Sequence, residues 1–550
     1  METDVLVVGA GPVGLTLSID LAQRGVNVVL LEMRSRGEPP SVKCNHVSAR
    51  SMEIFRRLGM VESVRNAGLP EDYPHDIAFR TVMTGPELAR IPIPSRSRRY
   101  TATDGVDSGW PTPEPPHRIN QIYLEPIMFE HAWNTPGLTI LNRTRFSRFD
   151  QNDDGVVAVA ENIDTGEELT FNARYMVGCD GGRSAVRKQI GAKLEGDAVI
   201  QQVQSTYIDA PRLFDLLSTQ PAWGNLSLNP RRSGTVYAID GRRKWLIHNY
   251  LRDEEPDFDA VDRDWAIRTI LGVDETFEYE VLSKEDWFGR RLLANKFRDR
   301  RVFICGDAAH LWVPFAGYGM NAGIADAENL SWLLAAHING WAPESILDVH
   351  EAERHPITEQ VSRFAMNHAF STARQRRAVP VNIEDPTAEG DRARRELGKE
   401  TYELNVQQYA CAGLNFGYYY DASPIIAYDG APHESYSMAG FTPSTVPGSR
   451  TPHTWLKDGQ SLYDLLGPEY TLLRFDPDAE IGPILAAAER SGFPLEVLDL
   501  SGENSGEGYS TGLVVSRPDR HVAWRGDSPP DDPDGLIDLL RGACTNTLHG

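Results

Sequence analysis

Thiols are scarce in this sequence. Its 550 residues include five cysteines, at positions 44, 179, 305, 411 and 544, and no two of them form a CxxC pair. Such spacing supports no disulfide framework, so we expect reduced thiols and a cytoplasmic protein. The 14 histidines are scattered, without the spacing of a zinc site, and we expect no metal.

Long apolar runs and an excess of positive charge are also missing. No run approaches the ~18–20 apolar residues of a membrane span, and the opening METDVLVVGAG has neither the basic region nor the cleavage site of a signal peptide. Lys and Arg number 55 against 78 Asp and Glu, a net charge of −23. This balance disfavours nucleic-acid binding through phosphate neutralisation. We therefore expect no nucleic-acid partner and no membrane span.

The chain is otherwise of ordinary globular composition, with 41% hydrophobic and 24% charged residues. At about 100–200 residues per domain, its length predicts three or four domains.

The most informative motif begins at residue 9. A short apolar strand at 4–8 runs into GAGPVG at 9–14, an apolar helix face follows to about residue 25, and a second strand at 26–31 ends in Glu32. Strand, glycine turn, helix, strand and acid are the full context of a dinucleotide-binding fingerprint. The fingerprint serves FAD and NAD alike, so by itself it does not separate the two.

Each residue of the fingerprint has a physical role. Gly9 permits the tight turn, Gly11 leaves room for a pyrophosphate, and Gly14 lets the helix approach the strand. The helix begins at Pro12 and Val13, and its N-terminus offers the free N–H groups of the residues after Pro12 to the phosphates. Glu32, followed by Met33, would accept hydrogen bonds from the adenosine ribose.

Two later segments repeat the order of strand and glycine turn. An apolar strand at 175–179 leads into DGGRSAVR at 180–187, and another at 301–305 leads into GDAAH at 306–310. A glycine-rich turn and then a helix to about residue 336 follow. Together the three motifs resemble the flavoprotein aromatic hydroxylases, single-component FAD monooxygenases built like para-hydroxybenzoate hydroxylase.

This resemblance implies a non-covalently bound FAD and further cofactor contacts. Asp307 would hold the ribityl chain, and the turn after Pro314 would place N–H groups and a helix N-terminus beside the flavin N1–C2=O edge, where negative charge develops on reduction. The matching cofactor positions after Met33 are Lys43, Arg50, Gln121, Asp180, Gly181, Arg187, Gly306, Asp307, Pro314, Gly317, Gly319, Met320 and Asn321. At 43 the family usually has an arginine, and lysine keeps the charge without the planar fork.

The expected fold class is α/β: a Rossmann-type FAD-binding domain, an inserted mixed-sheet substrate domain and a C-terminal thioredoxin-like domain. The FAD domain comprises 1–185 and 290–375, with 76–100 contributing to the substrate domain at 186–289, whose alternating apolar pattern favours an antiparallel sheet. Residues 376–444 form a helical connector.

The start and near-end of 445–550, GSRTPHTWL and RPDRHVAWR, resemble the thioredoxin-like extension of the larger phenol and polyketide hydroxylases. Its only cysteine is Cys544, and dithiol exchange needs two thiols. The domain is therefore expected to be structural, and an interface for a homodimer is its more natural role.

The implied reaction hydroxylates a phenolic ring through a flavin C4a-hydroperoxide, with dioxygen as oxidant and NAD(P)H as a transient reductant that has no GxGxxG of its own. A base near the substrate hydroxyl would favour the phenolate. His46, Tyr237 and His248 are candidates, although each is more often a satisfied polar residue than a catalyst. Cys44 beside His46 reads as a small apolar residue rather than a nucleophile.

Several alternatives stay open. Within the family, the chain could be a polyketide tailoring oxygenase of hydroxylating or Baeyer-Villiger type. A flavin halogenase of this fold would typically carry a WxWxIP segment, and none occurs here. From another class, the chain could be a non-catalytic flavin-binding scaffold.

Overall fold

The structure, a computed structural model, describes residues 1–43, 45–313, 317–435, 437–504 and 506–544. Strands β1 to β21 span, in order, Glu2–Val8, Val28–Leu31, Ile77–Arg80, Glu87–Ile91, Leu138–Leu141, Thr144–Gln151, Val156–Asn162, Glu168–Gly178, Leu194–Asp209, Gly224–Ser227, Gly234–Ala238, Lys244–Tyr250, Glu280–Lys284, Trp287–Ala294, Arg298–Asp299, Val302–Ile304, His310–Leu311, Tyr470–Arg474, Leu495–Asp499, Leu513–Ser516 and Val522–Gly526.

Helices connect and cover these strands. Helices α1 to α13 span Pro12–Gln23, Ala49–Arg57, Val61–Arg65, Gln121–Trp133, Ala185–Gln189, Arg263–Leu271, Tyr318–Ile338, Val349–Arg377, Ala388–Tyr409, Ala412–Phe416, Leu462–Leu465, Gly482–Ser491 and Pro533–Leu540. No helix within the described residues is long and apolar enough to cross a membrane.

The first sheet is the dinucleotide-binding sheet that the glycine motif predicts. Strands β16, β8, β1, β2 and β5 lie side by side and parallel, and β6 and β7 add antiparallel strands at β8. The apolar run of β1 is buried on both sides. Val5 and Val7 pack in the cluster that contains α1 and α7, whereas Leu6 and Val8 pack with Phe171 on the other face. Alternation across a covered parallel strand explains the continuous apolar sequence.

The second sheet has nine strands in the order β17-β14-β9-β12-β11-β10-β3-β4, with β13 also paired to β9. Strands β3 and β4 come from 77–91, between the segments of the first sheet, and β14 carries the sheet past residue 289 to Ala294. Helix α6 covers one face, where Ile267 and Ile270 pack with Val236 and Ile247. The opposite face carries Tyr237 and His248, because side chains alternate along each strand.

The C-terminal sheet has the order β19-β18-β20-β21, with β18 and β19 parallel and the other pairs antiparallel. Helix α12 joins the parallel pair and α13 follows the last strand. A β-α-β unit followed by two antiparallel strands and a helix is the thioredoxin-like arrangement, so the predicted fold class is confirmed. Cys544 is free and exposed.

Buried ion pairs join this C-terminal sheet to the rest of the chain. The turn before β21 contributes Arg517, which pairs with Glu353 of α8 at 2.5 Å, and Arg520, which pairs with Glu53 of α2 at 3.4 Å. Arg450 reaches the same Glu53. All five side chains are almost completely buried, so the C-terminal domain is integrated with the first sheet through its charges as well as its apolar surface.

Candidate active site

The first glycine turn has no room for a side chain at Gly9 or Gly14, but it has room at Gly11. A Cβ at Gly9, which has φ +102°, would lie 2.4 Å from the Cys179 carbonyl oxygen, and one at Gly14 would lie 1.9 Å from the Gly9 carbonyl oxygen. A Cβ at Gly11 would meet no described heavy atom within 4 Å. The α1 N-terminus beside it has Pro12 in the first turn and no capping side chain among the described residues.

The GD turn, residues 306–310, packs directly on the N-terminus of α1. Gly306 has φ +60°, and a Cβ there would lie 2.9 Å from Val13; a Cβ at Gly323 of α7 would lie 2.6 Å from the same side chain. Asp307 is exposed beside this contact. Surrounding protein nonetheless raises the pKa of its carboxyl by desolvation, against the opposite effect of His310 and Lys43.

A buried polar network holds the GD turn from below. The Asp326 carboxylate accepts hydrogen bonds from Gly306 N at 3.3 Å, His310 Nε2 at 2.7 Å and Arg354 Nε at 2.8 Å. These cationic and donor partners hold the pKa of Asp326 well below its ordinary value although burial opposes the shift. Sequence reasoning missed this network, because Asp326 lies within a helix recognised by its apolar face.

The α7 N-terminus brings three predicted residues together. Gly317 has φ +65° and caps α7, with no side-chain cap among the described residues. Asn321 donates to the carbonyl oxygens of Gly317 at 2.5 Å and His46 at 3.1 Å, and accepts from Ser48 N at 2.8 Å. Gly319 is open. Met320 is buried in the core, which leaves its backbone to face the turn, and Pro314 lies outside the described residues.

The middle motif, DGGRSAVR at 180–187, is hydrogen-bonded to the GD turn. Asp180 Oδ2 accepts from Ala185 N at 2.7 Å at the start of α5, while its buried Oδ1 has no partner among the described residues. Arg187 donates to the carbonyl oxygens of Ala308 at 3.0 Å and Gly182 at 2.9 Å. Gly181, at φ +75°, forms the turn that directly follows Asp180.

The acidic end of β2 is already hydrogen-bonded within the protein. Glu32 accepts from Ala10 N at 2.8 Å and pairs with Arg34 at 3.1 Å, and Arg34 also pairs with Glu125 at 2.5 Å. Gln121 donates to Glu125 at 2.8 Å, and Met33 is 53% exposed next to Glu32. Arg34 is a second missed residue, placed two positions after the acid of the fingerprint.

The two basic residues predicted at the cofactor lie in different surroundings. Lys43 is half exposed and pairs with Glu285, and its charge opposes the rise in the pKa of the Asp307 carboxyl. The Arg50 guanidinium is buried, pairs with Glu328 at 3.4 Å and donates to the Asp519 carbonyl oxygen at 2.8 Å. These contacts place Arg50 at the interface with the C-terminal domain and do not support it as a cofactor contact.

His46 lies between the α7 turn and Arg118. Arg118 donates to its Nδ1, and a Cβ at Gly317 would lie 3.0 Å from its ring. Burial and the Arg118 charge hold the pKa of His46 well below its ordinary value. Since Nδ1 accepts from a guanidinium, the remaining proton is assigned to Nε2, which makes the ring a donor and argues against His46 as a base.

Tyr237 and His248 belong to a row of rings on the open face of the second sheet. Centroid distances are 5.0 Å from Trp223 to Tyr237, 5.8 Å from Tyr237 to His248 and 5.8 Å from His248 to Trp287. Burial raises the pKa of Tyr237 well above its ordinary value and lowers that of His248 to about 4. At neutral pH Tyr237 is therefore a donor and His248 a neutral ring, so neither is a strong base.

The glycine turns fit a dinucleotide such as FAD. Among the described residues, two helix N-termini without side-chain caps meet through Val13, Gly306 and Gly323. Open glycines stand at both, and a buried Asp180 oxygen lacks a partner beside them. Uncapped N–H groups at a helix N-terminus favour anions, so the first helix suits a phosphate and the second an anionic ring edge.

A separate groove of about 1160 Å³ lies between the β15–β16 hairpin and the start of α8, away from the glycine turns. Its charged side chains pair with one another: Arg298 with Asp348 and Glu344, and Lys296 with Asp299. None of the glycine turns lines it. The turns and the ring row are the better candidate, since they combine positioned donors with an aromatic surface.

Comparison with known proteins agrees with this geometry. The model of an FAD binding domain matches residues 2–365, and that of the aromatic-ring hydroxylase C-terminal domain matches residues 444–546. The tetracenomycin B2 monooxygenase-dioxygenase of Streptomyces olivaceus is 30% identical over 98% of this chain and 98% of its own, and the phenol 2-monooxygenase of a Pseudomonas species is 28% identical over 99% and 93%.

A solved structure of the rebeccamycin biosynthetic enzyme RebC with reduced flavin is 33% identical and covers 99% of both chains, with a TM-score of 0.88. The FAD-domain match spans well over half of the sequence, and the similarity to RebC extends through the C-terminal domain. This chain binds FAD and belongs to the family of FAD-dependent aromatic-ring hydroxylases.

Proposed function

We propose that this protein hydroxylates a phenolic aromatic ring held between the α7 N-terminus and the ring row of the second sheet. The main support is a series of side-chain contacts that starts at the Gly317 turn and ends at the ring row. It runs through His46, Arg118 and Trp223 to Tyr237. It joins a turn suited to the flavin with a surface suited to a planar ligand. Bound FAD supplies hydride acceptance and dioxygen activation, which side chains cannot provide.

The residues of this chain bind, orient and exclude water. Gly9, Gly11 and Gly14 would hold the pyrophosphate, and Asp307 the ribityl chain. Ring contacts fix the plane of an aromatic substrate, and their apolar surface limits the water that would divert the reduced cofactor. The Tyr237 hydroxyl, which keeps its proton at neutral pH, would donate to a substrate oxygen.

NAD(P)H is the proposed reductant. The sequence has one GxGxxG, at 9–14, so a nicotinamide cofactor would bind transiently beside the flavin rather than in a second dinucleotide domain. The relatives include a phenol enzyme and a tetracenomycin enzyme. A polyketide tailoring oxygenase, hydroxylating or Baeyer-Villiger, is therefore the second candidate for this same site.

The test uses the FAD-loaded protein with phenol, 2-naphthol and a polycyclic phenol that carries a ring carbonyl, each with NADH and with NADPH. Substrate-stimulated oxidation of the reductant must accompany a product that carries oxygen from isotopically labelled dioxygen. Insertion beside a ring carbonyl instead of ring hydroxylation would select the Baeyer-Villiger alternative. Flavin binding with no labelled product from any aromatic would refute the hydroxylase and favour a flavin-binding scaffold. Protein stripped of flavin is the control.

Three further assignments are part of the proposal. We divide the chain into an FAD domain at 1–185 and 290–375, a substrate domain at 186–289 joined by 76–100, a connector at 376–444 and a thioredoxin-like domain at 445–550. The match to the aromatic-ring hydroxylase C-terminal domain begins at residue 444, which supports the last of these boundaries. The free thiols of Cys179, Cys305 and Cys411 favour a reducing, cytoplasmic setting.

A homodimer through the C-terminal domain is also proposed. Strand β19 lies at the edge of its sheet with Val497 40% exposed, and Trp455 of the same domain is 56% exposed. Unpaired strand edges and exposed aromatic rings are typical contact surfaces. Light scattering of the full chain tests this, and a monomer at all concentrations would contradict it.

A further inference from the structure

Arg118 is a buried guanidinium that forms no ion pair with a carboxylate in the part of the chain that the structure describes. It lies three residues before the start of α4, is 3% exposed and donates through Nη1 to His46. Its Nη2 is buried and has no hydrogen-bond partner among the described residues. Two rings flank it: the guanidinium carbon lies 4.8 Å from the Trp223 centroid and 5.8 Å from the Tyr409 centroid.

Two acidic groups of the segment before Arg118, Asp107 and Glu114, are committed to other partners. Asp107 accepts from Arg99 Nη1 at 2.6 Å and from Trp110 Nε1 at 2.9 Å. Glu114 accepts from Arg65, Arg56 and Tyr100. Among the described residues, no salt bridge reaches Arg118. An arginine remains protonated even when burial lowers its pKa, as it does here. The Asp107 charge offsets this shift only in part, so the guanidinium stays charged without a direct ion pair among the described residues.

A second group in the same place lacks partners. Both ring nitrogens of His75 are buried and without hydrogen bonds among the described residues, and burial together with the Arg118 and Arg99 charges holds the pKa of His75 well below its ordinary value. Buried polar atoms are nearly always satisfied in folded proteins. Unsatisfied buried polar atoms beside a guanidinium that has no ion pair of its own indicate a site that a ligand with negative charge would satisfy.

We propose that Arg118 binds an anionic oxygen of the aromatic substrate, either a ring carboxylate or an ionised ring hydroxyl. The inference rests on the proposed function and adds the chemical class of substrate to it. Arg118 touches His46, which touches the Gly317 turn, and also faces Trp223, which touches Tyr237. An oxygen bound at Arg118 would thus lie between the flavin turn and the ring row.

The guanidinium also explains how the site can work without a strong base. Of the three candidate bases, His46 and Tyr237 are donors and His248 is a weak acceptor. A fixed positive charge stabilises a phenolate directly and supplies a planar pair of donors, which lysine cannot match. His46 takes one guanidinium N–H, which leaves the free Nη2 to the ligand and makes His46 a positioning residue.

The test compares ligands that differ in charge but not in ring. Holoenzyme is titrated with 1-hydroxy-2-naphthoate, its methyl ester and 2-naphthol, and binding is followed by the change in flavin absorbance. A charge-assisted bond predicts about tenfold to hundredfold tighter binding of the acid than of the ester. If the phenolate is the bound form, 2-naphthol instead tightens by a similar factor as pH rises toward its own pKa. Either preference supports the proposal.

Variants locate the charge. Arg118→Gln should abolish the preference and Arg118→Lys should retain part of it. Arg231→Gln removes an exposed arginine paired with Glu384 and should leave the preference unchanged. Equal binding of all three probes by the wild type at every pH would overturn the proposal, as would an unchanged preference in Arg118→Gln. The wild-type comparison needs no variant, so it decides the matter even if Arg118→Gln fails to fold.

Activity separates this inference from the proposed function. Labelled product from neutral and anionic phenols with equal kcat/KM would keep the hydroxylase and refute the anion site. Charge-dependent binding that requires Arg118, without labelled product from any probe, would keep the anion site and refute the hydroxylase.

Discussion

Arg517 offers the sharpest test of how the C-terminal domain is held. Its guanidinium donates to Glu353 at 2.5 and 2.8 Å and to Asp519 at 2.7 and 3.1 Å, and all three side chains are at most 2% exposed. Arg517→Met removes four charge-assisted hydrogen bonds and keeps most of the apolar volume. It also leaves two carboxylates buried close together.

The expected loss in the free energy of unfolding is about 3–5 kcal/mol, the usual cost of removing one partner from a buried ion pair. Glu353 retains Ser423 and Asn329 as donors at 2.5 and 2.8 Å, which limits the loss. Even so, the lower value is a large fraction of the roughly 5–15 kcal/mol that stabilises ordinary domains.

Urea unfolding of the holoenzyme, followed by circular dichroism and by release of flavin fluorescence, measures this loss. The matched control is Arg490→Met: Arg490 also forms a two-oxygen pair, with Asp534 at 2.7 Å, but both side chains are about 60% exposed. An exposed pair should contribute at most about 1 kcal/mol.

A second variant tests whether the effect belongs to the pair. Glu353→Gln combined with Arg517→Met should cost about 1–3 kcal/mol less than the two single changes added together. Equal, small losses in Arg517→Met and Arg490→Met would refute the reasoning, since they would mean that water reaches the buried pair. Strictly additive losses would show that Arg517 acts through packing alone.

Three other outcomes follow from the geometry. Gly14→Ala should abolish FAD binding, because its Cβ would lie 1.9 Å from the Gly9 carbonyl oxygen, whereas Gly482→Ala, which meets no described atom within 4 Å, should bind FAD normally; the flavin-to-protein absorbance ratio distinguishes them. Burial lowers the pKa of His521 to about 4, so the unfolded state takes up a proton below about pH 6.5 and the folded state does not. Stability contributed by this group is therefore present above pH 6.5 and lost as pH falls, by about 2 kcal/mol at pH 5. His521→Gln should reduce the acid-side loss of stability in urea unfolding by about that amount, and an unchanged profile would contradict the assignment. Asp307→Ala should weaken FAD binding about tenfold or more without lowering the stability of the flavin-free protein, because Asp307 is exposed; flavin-fluorescence titration and unfolding of the apoprotein measure the two, and unchanged affinity would remove Asp307 from the cofactor site.

Local sequence was sufficient for the parts of the site made by backbone conformation. Gly9 and Gly317 are required by their positive φ angles of +102° and +65°, and Gly14 by a distance to the Gly9 carbonyl oxygen within one turn. Such constraints involve residues close together in the chain, so a spacing pattern reveals them. The resemblance of the motifs to one family then indicated FAD, and the comparisons confirm it.

Side-chain roles were predictable only where chemistry follows from residue type. His46 is a reasonable base by type, yet Arg118, 72 positions away in the chain, donates to its Nδ1. Arg50 has the charge for a cofactor contact, yet it pairs with Glu328 and donates to the Asp519 carbonyl oxygen. In each case the partner that decides the role comes from a distant segment.

The sequence by itself determined the glycine turns, the order of the sheets and the lack of a dithiol in the C-terminal domain, because each depends on residue identity and short spacing. Tertiary structure alone decided which charges are paired. Arg118 and Arg517 are both buried arginines, but Arg517 has two carboxylates and Arg118 has none among the described residues. Pairing depends on burial and on distances across the fold, and these give one arginine a structural role and leave the other for a ligand.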